Sequence, residues 1–241
     1  KRSVKAIVDE REYLNKSHEV NYFSFRDDQL TLNRALIMGV CDEIIKRKLN
    51  IMFDAANGLW INSLREDVVA RMAEAGFVYA NLAIEHGNDY IRNEIIQKNL
   101  DRKKIFEVAG LFKKYKIMAT AMFIMGFPED TNETLQDTYD MMEELQLDKS
   151  TVATLMPFPG TKLFNQVVKD KLFIKKDTNY DELWKNPISL VQRDFVIKPY
   201  NMSVEDLYKW REKFDKIRTK HWKTNPKKVP DFQSSAPRLI G

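Results

Sequence analysis

Residues 122–131 carry the residue types of a ligand-binding turn. The apolar run 117–127 before it is suited to a strand that is buried on both faces of a parallel sheet. Gly126 lets the backbone approach a bound group closely, and Pro128 fixes the direction in which the chain leaves the strand. The free N–H groups of a helix predicted to begin at Asn132 face the same turn. We therefore predict that a ligand lies there.

Short apolar runs alternate with amphipathic stretches along most of the chain. The predicted strands are residues 20–25, 50–53, 77–84, 117–127 and 150–156. The predicted helices that follow them are residues 32–48, 65–75, 102–115, 133–145 and 162–171, and a further helix at 3–15 precedes the first strand. Alternation at this spacing indicates parallel strands joined by right-handed crossovers. The sequence thus predicts an α/β fold.

Acidic side chains stand at the carboxyl ends of the predicted strands. They are Asp27, Asp28, Asp54, Glu85 and Glu129. In a barrel of parallel strands these ends share one face, where ligands bind. Carboxylates that converge there require a cationic partner. One such partner is a divalent metal held by Asp28, Asp54 and Glu85, which would make the protein a hydrolase or lyase.

Composition limits the other function classes. The chain has 241 residues, of which 44% are hydrophobic, enough for one large domain with a core. No apolar run is long enough to span a membrane, the first residues lack the apolar stretch of a signal peptide, and Cys41 is the single cysteine. The formal charge of +4 comes from residues 201–241, where ten Lys and Arg face five Asp and Glu. We expect a cytoplasmic protein without a nucleic-acid partner.

Four of the strand-end turns resemble those of radical S-adenosylmethionine enzymes, in the same order. Phe25-Arg-Asp27-Asp28 is similar to the F-x-D-D turn after the second strand of that family, and Glu85-His86-Gly87-Asn88 to the E-H-G-N turn after the fourth. Residues 122–129 resemble the G-x-I-x-G-x-x-E motif, with Met122 in place of the first Gly, and residues 157–161 resemble the P-x-P-G-T turn. The E-H-G-N form is similar to the cobalamin-associated subgroup.

The resemblance implies a partial (β/α)6 TIM-like barrel whose first strand is missing, followed by a helical extension. It implies S-adenosylmethionine and a 4Fe-4S cluster as cofactors, with cobalamin as a further one, and reductive cleavage to a 5′-deoxyadenosyl radical that acts on a small-molecule substrate. Flavodoxin or ferredoxin would donate the electron. The family's C-x-x-x-C-x-x-C loop, which holds the cluster, is absent from this sequence. We therefore expect a catalytically inactive fragment that begins after that loop, from an enzyme of methyl transfer or rearrangement.

The same resemblance assigns roles to the matching residues. Asp27 and Asp28 would bind the ammonium end of S-adenosylmethionine, although either could instead cap the following helix, and Asp27 could pair with Arg26. Glu85 would meet the ribose hydroxyls or the ammonium. The adenine would lie against Gly126 and Phe127, and Glu129 would shape that turn, cap the next helix or contact the cofactor.

Three further residues are candidates for substrate contacts: Asn57, His86 and Thr161. Each has a structural alternative, which is a plain Asn-Gly turn, a hydrogen-bonded turn histidine and a helix start, respectively. Lys98 is interpreted as a surface lysine, although its spacing from Glu85 would allow it to reach the sheet edge. Beside the radical enzyme and the metal-dependent barrel, a non-catalytic barrel that binds an adenosine ligand remains open.

The predicted organisation has three parts. Residues 1–175 form the barrel, and residues 176–224 form an extension with one helix that opens at Ser203 and packs on the barrel or binds a partner. Residues 225–241 form a disordered tail, because Pro, Lys and Ser dominate there.

The single cysteine leads to a prediction about the 241-residue chain. Because a 4Fe-4S cluster needs several thiolates, anaerobic reconstitution with iron and sulfide should leave the chain without a stoichiometric cluster. Iron analysis and electron paramagnetic resonance measure this directly. About four irons per chain, with a matching resonance signal, would contradict the prediction.

Overall fold

Five parallel strands form one sheet in the computed structural model, which describes residues 2–175 and 194–224, with side chains to residue 218. The strands are β1 (Tyr22–Phe25), β2 (Met52–Ala55), β3 (Phe77–Glu85), β4 (Met118–Met125) and β5 (Lys149–Thr154). Their order in the sheet is the order in the chain, and every neighbouring pair is parallel. The sheet and its helices form a partial TIM-like barrel, so the predicted α/β fold is confirmed.

A helix follows or precedes each strand. The helices are α1 (Val4–His18), α2 (Arg34–Lys46), α3 (Glu66–Glu74), α4 (Arg102–Lys114), α5 (Asn132–Leu145), α6 (Lys162–Lys169) and α7 (Val204–Thr224). Most bounds lie within a few residues of those predicted. The predicted helix 32–48 is shorter because a 3-10 turn, Leu30–Leu32, precedes it and Asn33 caps it, accepting from the Leu36 N–H at 3.1 Å. The cap is therefore neither Asp27 nor Asp28.

Aromatic rings tie the first three strands together on the helix-covered face. Phe53 pairs in register with Phe23 and Phe77, and its ring lies 5.5 Å from that of Phe25 and 5.4 Å from that of Phe77. Phe53 is fully buried. These contacts hold the short strands β1 and β2 against the longer β3.

The C-terminal helix packs on the barrel, as predicted. Its apolar stripe, Leu207, Trp210, Phe214 and Ile217, belongs to the main buried core. The Trp210 indole N–H also donates to the Asn132 side chain at 2.8 Å. Ser203 caps the helix by accepting from the Asp206 N–H at 3.1 Å. The predicted tail, 225–241, and the first part of the extension, 176–193, lie outside the described residues, and the domain boundary at 175 stays a prediction.

The helices differ in character from membrane-spanning segments. In the described part of the chain, none is long and apolar enough to cross a membrane. One short element was not predicted: a π-helical turn, Ile91–Ile95, lies between β3 and α4. Such turns often occur at functional sites.

Truncation of Phe53 tests the aromatic contacts. Phe53→Ala should lower the free energy of unfolding by about 3–5 kcal/mol, because it leaves a cavity between three strands. Urea denaturation followed by circular dichroism measures the change. Phe53→Leu, which keeps most of the volume, should lose less than half as much, and equal losses would show that the rings contribute little beyond bulk.

Candidate active site at the carboxyl edge of the sheet

The turns after the five strands lie at one edge of the sheet because all the strands are parallel. This edge is the predicted location of Asp28, Glu85 and Gly126. The predicted topology of the site is therefore confirmed. What each residue does there depends on its hydrogen bonds.

The β4 turn is held by a buried carboxylate. Gly126 has φ +97°, a conformation that favours glycine. The Asp130 Oδ2 accepts from the Gly126 N–H at 2.7 Å and from the Phe127 N–H at 2.9 Å. Asp130 is fully buried. Its carboxylate thus fixes the turn where adenine binding is predicted.

The same carboxylate joins the β4 turn to the β3 turn through His86. The Asp130 Oδ1 lies 3.1 Å from the His86 Nε2. The Asn88 backbone N–H donates to the His86 Nδ1 at 3.1 Å, so Nδ1 is the acceptor in neutral His86 and Nε2–H donates to Asp130. His86 is fully buried, which argues against direct substrate contact. It connects two turns of the site instead.

Gly87 brings the β3 turn into direct contact with α5. Its N–H donates to the Thr138 Oγ1 at 3.0 Å. A Cβ at this position would lie 2.3 Å from the Thr138 Cα, closer than any side chain permits. The glycine of the E-H-G-N sequence is therefore required by packing.

Glu85 ends β3 in an unusual backbone conformation. Its φ is +72°, and the register with β4 shifts between Ala83 and Glu85. The Glu85 carboxylate accepts from the Lys98 Nζ at 2.9 Å, with both side chains partly buried. A non-glycine residue in this conformation costs about 1–3 kcal/mol and is typical of functional sites.

Lys98 is presented by a tightly shaped loop. The residues on either side, Gln97 and Asn99, have φ values of 58° and 49°, and the Lys98 N–H donates to the Arg92 carbonyl at 3.0 Å. The interpretation of Lys98 as a surface lysine is wrong. Sequence spacing hinted at the contact, but the left-handed residues that direct the chain back have no sequence signature.

Arg92 connects this loop to the β3 turn. Its fully buried guanidinium donates to the Leu100 carbonyl at 2.7 Å, to the His86 carbonyl at 2.9 Å and to the Gly87 carbonyl at 3.0 Å. It also pairs with Asp89. Arg92 therefore sets the distance between the strand end and the Lys98 loop.

The β1 and β2 turns carry exposed polar groups. Asp27 and Asp28 are exposed, and among the described residues neither carboxylate makes a hydrogen bond or an ion pair. Asn57 is also exposed, and its side-chain amide donates to the Arg26 carbonyl at 2.8 Å. The carboxylates are thus available to a ligand, whereas Asn57 partly secures its neighbouring turn.

The remaining candidates are held by the extension and by α6. The Glu129 Oε1 accepts from the Gln166 amide at 2.7 Å, and within the described residues its buried Oε2 has no partner. Thr161 caps α6 by accepting from the Phe164 N–H at 3.1 Å. The prediction that Glu129 shapes the β4 turn or caps α5 is wrong, because Asp130 holds the turn and Thr131 caps the helix.

The extension reaches the β4 turn from the other side. The Tyr200 N–H donates to the Pro128 carbonyl at 2.8 Å. The Phe195 ring lies 3.6 Å from where a Cβ of Gly126 would be, in ordinary van der Waals contact. Residues 194–200 therefore support the turn.

The described residues do not form a metal cage. They contain no group of three or more His, Cys, Asp or Glu side chains placed to hold an ion. Both Asp54 oxygens accept from side-chain hydroxyls, those of Tyr22 and Ser24. Cys41 is buried in α2, and burial raises the pKa of its thiol to about 12. The alternative with a metal shared by Asp28, Asp54 and Glu85 gains no support.

A sequence model described as "Radical SAM superfamily" matches residues 1–142. The anaerobic magnesium-protoporphyrin IX monomethyl ester cyclase of Rubrivivax gelatinosus is 29% identical over 167 residues, covering 69% of this chain and 30% of the cyclase. An uncharacterized methyltransferase of Pyrococcus horikoshii is 26% identical over 187 residues, covering 76% of this chain and 40% of the methyltransferase. The chain therefore spans well under half the length of these relatives.

Among solved structures, the radical S-adenosylmethionine methyltransferase TsrM of Kitasatospora setae, with cobalamin and a [4Fe-4S] cluster bound, has a similar fold. Its TM-score is 0.61 at 18% sequence identity, over 70% of this chain and 32% of TsrM. At this identity the likeness concerns the fold alone.

Two adjacent acids allow a matched test of the β4 turn. Asp130→Ala should lower the free energy of unfolding by about 3 kcal/mol or more, because three buried donors lose their acceptor. Glu129→Ala removes one partly exposed hydrogen bond and should cost less than about 1 kcal/mol. Denaturant titration compares the two variants, and equal losses would contradict the role given to Asp130.

Proposed function

The chain belongs to the radical SAM superfamily, and from this premise we propose that its carboxyl sheet edge binds S-adenosylmethionine. The observation that carries the proposal is the Glu85–Lys98 pair, which offers both signs of charge on a specially shaped backbone. S-adenosylmethionine carries an ammonium, a carboxylate and ribose hydroxyls. The polar groups of the edge match that donor and acceptor set in kind.

Each end of the cofactor has partners in this proposal. Asp27 and Asp28, which are exposed and free of partners among the described residues, receive the ammonium. Glu85 accepts from the ribose hydroxyls, and Lys98 balances its charge. Both roles agree with the positions of these residues at neighbouring strand ends.

The adenine lies along the β4 turn, against Gly126 and Phe127. Asp130 and His86 keep this surface in place without touching the ligand. Glu129 stays a weaker candidate for cofactor contact, because its Oε1 is bonded to Gln166. Asn57 and Thr161 remain candidates for substrate contact, although both already make structural hydrogen bonds.

In the complete protein, a 4Fe-4S cluster would supply the electron that cleaves S-adenosylmethionine to a 5′-deoxyadenosyl radical. Cys41 does not fit the cluster because it is single and buried in a helix. The cysteine ligands must therefore come from residues outside this sequence. The part played by this chain is to bind, orient and shield the cofactor.

The finer assignment follows the relatives. We propose a place in the cobalamin-associated subgroup, because TsrM has the matching fold with cobalamin bound. The relatives are named as a cyclase and a methyltransferase, so methyl transfer or rearrangement of a small molecule is the proposed reaction. A flavodoxin or ferredoxin donor and a cytoplasmic location complete the proposal.

Binding of S-adenosylmethionine to the 241-residue chain tests the site. Without the cluster we expect a Kd in the roughly millimolar range, and adenosine should compete better than methionine. Lys98→Met should weaken binding about tenfold, because Glu85 loses its counter-charge and repels the ligand carboxylate. Ligand-observed NMR measures these affinities.

Lys103→Met is the matched control, since Lys103 is exposed on α4 and carries the same charge. It should leave the Kd unchanged. Equal effects of the two substitutions, or micromolar binding that ignores Lys98, would place the cofactor elsewhere.

A further inference from the structure

The inner face of the sheet, opposite the helices, carries hydrogen-bonding side chains where barrels normally have apolar ones. Helices α3 to α5 pack on the outer face, which holds fully buried residues such as Phe53 and Phe123. Parallel register places six polar residues side by side on the other face, and we call them the inner polar row: Tyr22, Ser24, Asp54, Tyr79, Asn81 and Thr120.

The β1–β2 end of the row is built around a carboxylate. Asp54 is only 6% exposed, and it accepts from the Tyr22 phenol and the Ser24 hydroxyl, one at each oxygen. Burial, followed by the neighbouring Asp54, raises the pKa of the Tyr22 phenol, which therefore keeps its proton and donates. Each carboxylate oxygen can accept a second hydrogen bond.

The β3–β4 end of the row consists of neutral groups. The Tyr79 phenol donates to the Asn81 Oδ1 at 2.5 Å and lies 2.9 Å from the Thr120 hydroxyl. The Asn81 amide donates to the Ala56 carbonyl at the end of β2. These bonds fix the side chains, so the row is rigid on both sides of Asp54.

Stability does not explain this arrangement. A buried carboxylate is expensive to desolvate, and apolar residues of similar volume usually serve a core as well or better. Inner barrel positions are normally filled by branched apolar residues. A rigid polar row on a partly exposed face is instead the arrangement of a binding surface.

We propose that the inner polar row anchors a cationic, hydrogen-bond-donating group of the substrate, such as an amine, at Asp54. Asp54 precedes Asn57 in the edge turn by three residues, which corresponds to roughly 10 Å along a strand. A substrate that reacts at the edge would therefore carry its amine roughly 10 Å from the reacting atom.

Other charges near the row are consistent with this choice. Arg26 lies beyond the end of β1, is exposed, and its charge acts on Tyr22. Lys149 pairs in register with Thr120, three strands from Asp54, which is roughly 14 Å at normal strand spacing. At that separation salt screens it strongly, so Asp54 governs the charge at its own end.

The test uses small probes of one shape and different charge. Benzylamine, benzyl alcohol and benzoate are titrated into the isotope-labelled 241-residue chain, and amide signals of residues 52–55 and 79–81 are followed by NMR. Benzylamine should shift these signals and bind about tenfold more tightly than benzyl alcohol, as expected for a charge-assisted hydrogen bond. Benzoate should not bind there. Equal binding of the three probes, or no shift by benzylamine, overturns the proposal.

Two variants locate the effect at the carboxylate. Asp54→Asn should lose the preference for benzylamine, while Glu144→Gln, an exposed carboxylate on the outer helix α5, should keep it. Ser24→Ala removes one donor from Asp54 and should leave benzylamine binding intact or stronger. Retained preference in Asp54→Asn overturns the proposal. If that variant does not fold, the ranking of the three probes on the unaltered chain decides.

This inference rests on the proposed function only for the identity of the ligand above the row. Loss of S-adenosylmethionine binding with intact amine binding would defeat the proposed function alone. Intact cofactor binding without amine preference would defeat this inference alone.

Discussion

The buried Asp130 carboxylate is the interaction on which the site depends. It accepts from two backbone N–H groups of the β4 turn and from the His86 imidazole of the β3 turn. A buried carboxylate persists only when its oxygens are well bonded, so these donors and the acid stabilise one another. Two loops that would otherwise move independently are therefore fixed to each other. A ligand that contacts both turns meets a surface that is already ordered, and less of its binding free energy is spent on ordering loops.

The β3 turn extends this order to a charged pair. Arg92 binds the His86 and Gly87 carbonyls on one side and Leu100 on the other, so the loop that carries Lys98 cannot move away from Glu85. The left-handed backbone of Glu85 is unfavourable by itself. The surrounding bonds hold it in place. Strain that is held in this way is typical of a site prepared for its ligand, and the same edge of the sheet then offers free carboxylates at Asp27 and Asp28.

Periodicity and turn residues predicted the strands, the helices and the edge at which the site lies, because those features depend on local patterns and on the parallel topology. Single contacts were harder to predict. Glu129 and Asp130 are adjacent acids, and only the path of the chain after Pro128 decides which one faces the turn. His86 was taken as a candidate contact because nothing in the sequence reveals that Thr138 and Asp130 enclose it. Asp54 was predicted at the edge, but register places it lower, on the inner face, where it bonds to Tyr22 and Ser24.

The most direct test of the account is to map S-adenosylhomocysteine on the isotope-labelled chain by amide chemical shifts. The account predicts that the largest changes fall on residues 85–88 and 126–130 together, with smaller ones at 27–28, because one ligand spans turns that Asp130 joins. Changes confined to one of these turns, or concentrated on residues away from the carboxyl edge, would contradict it.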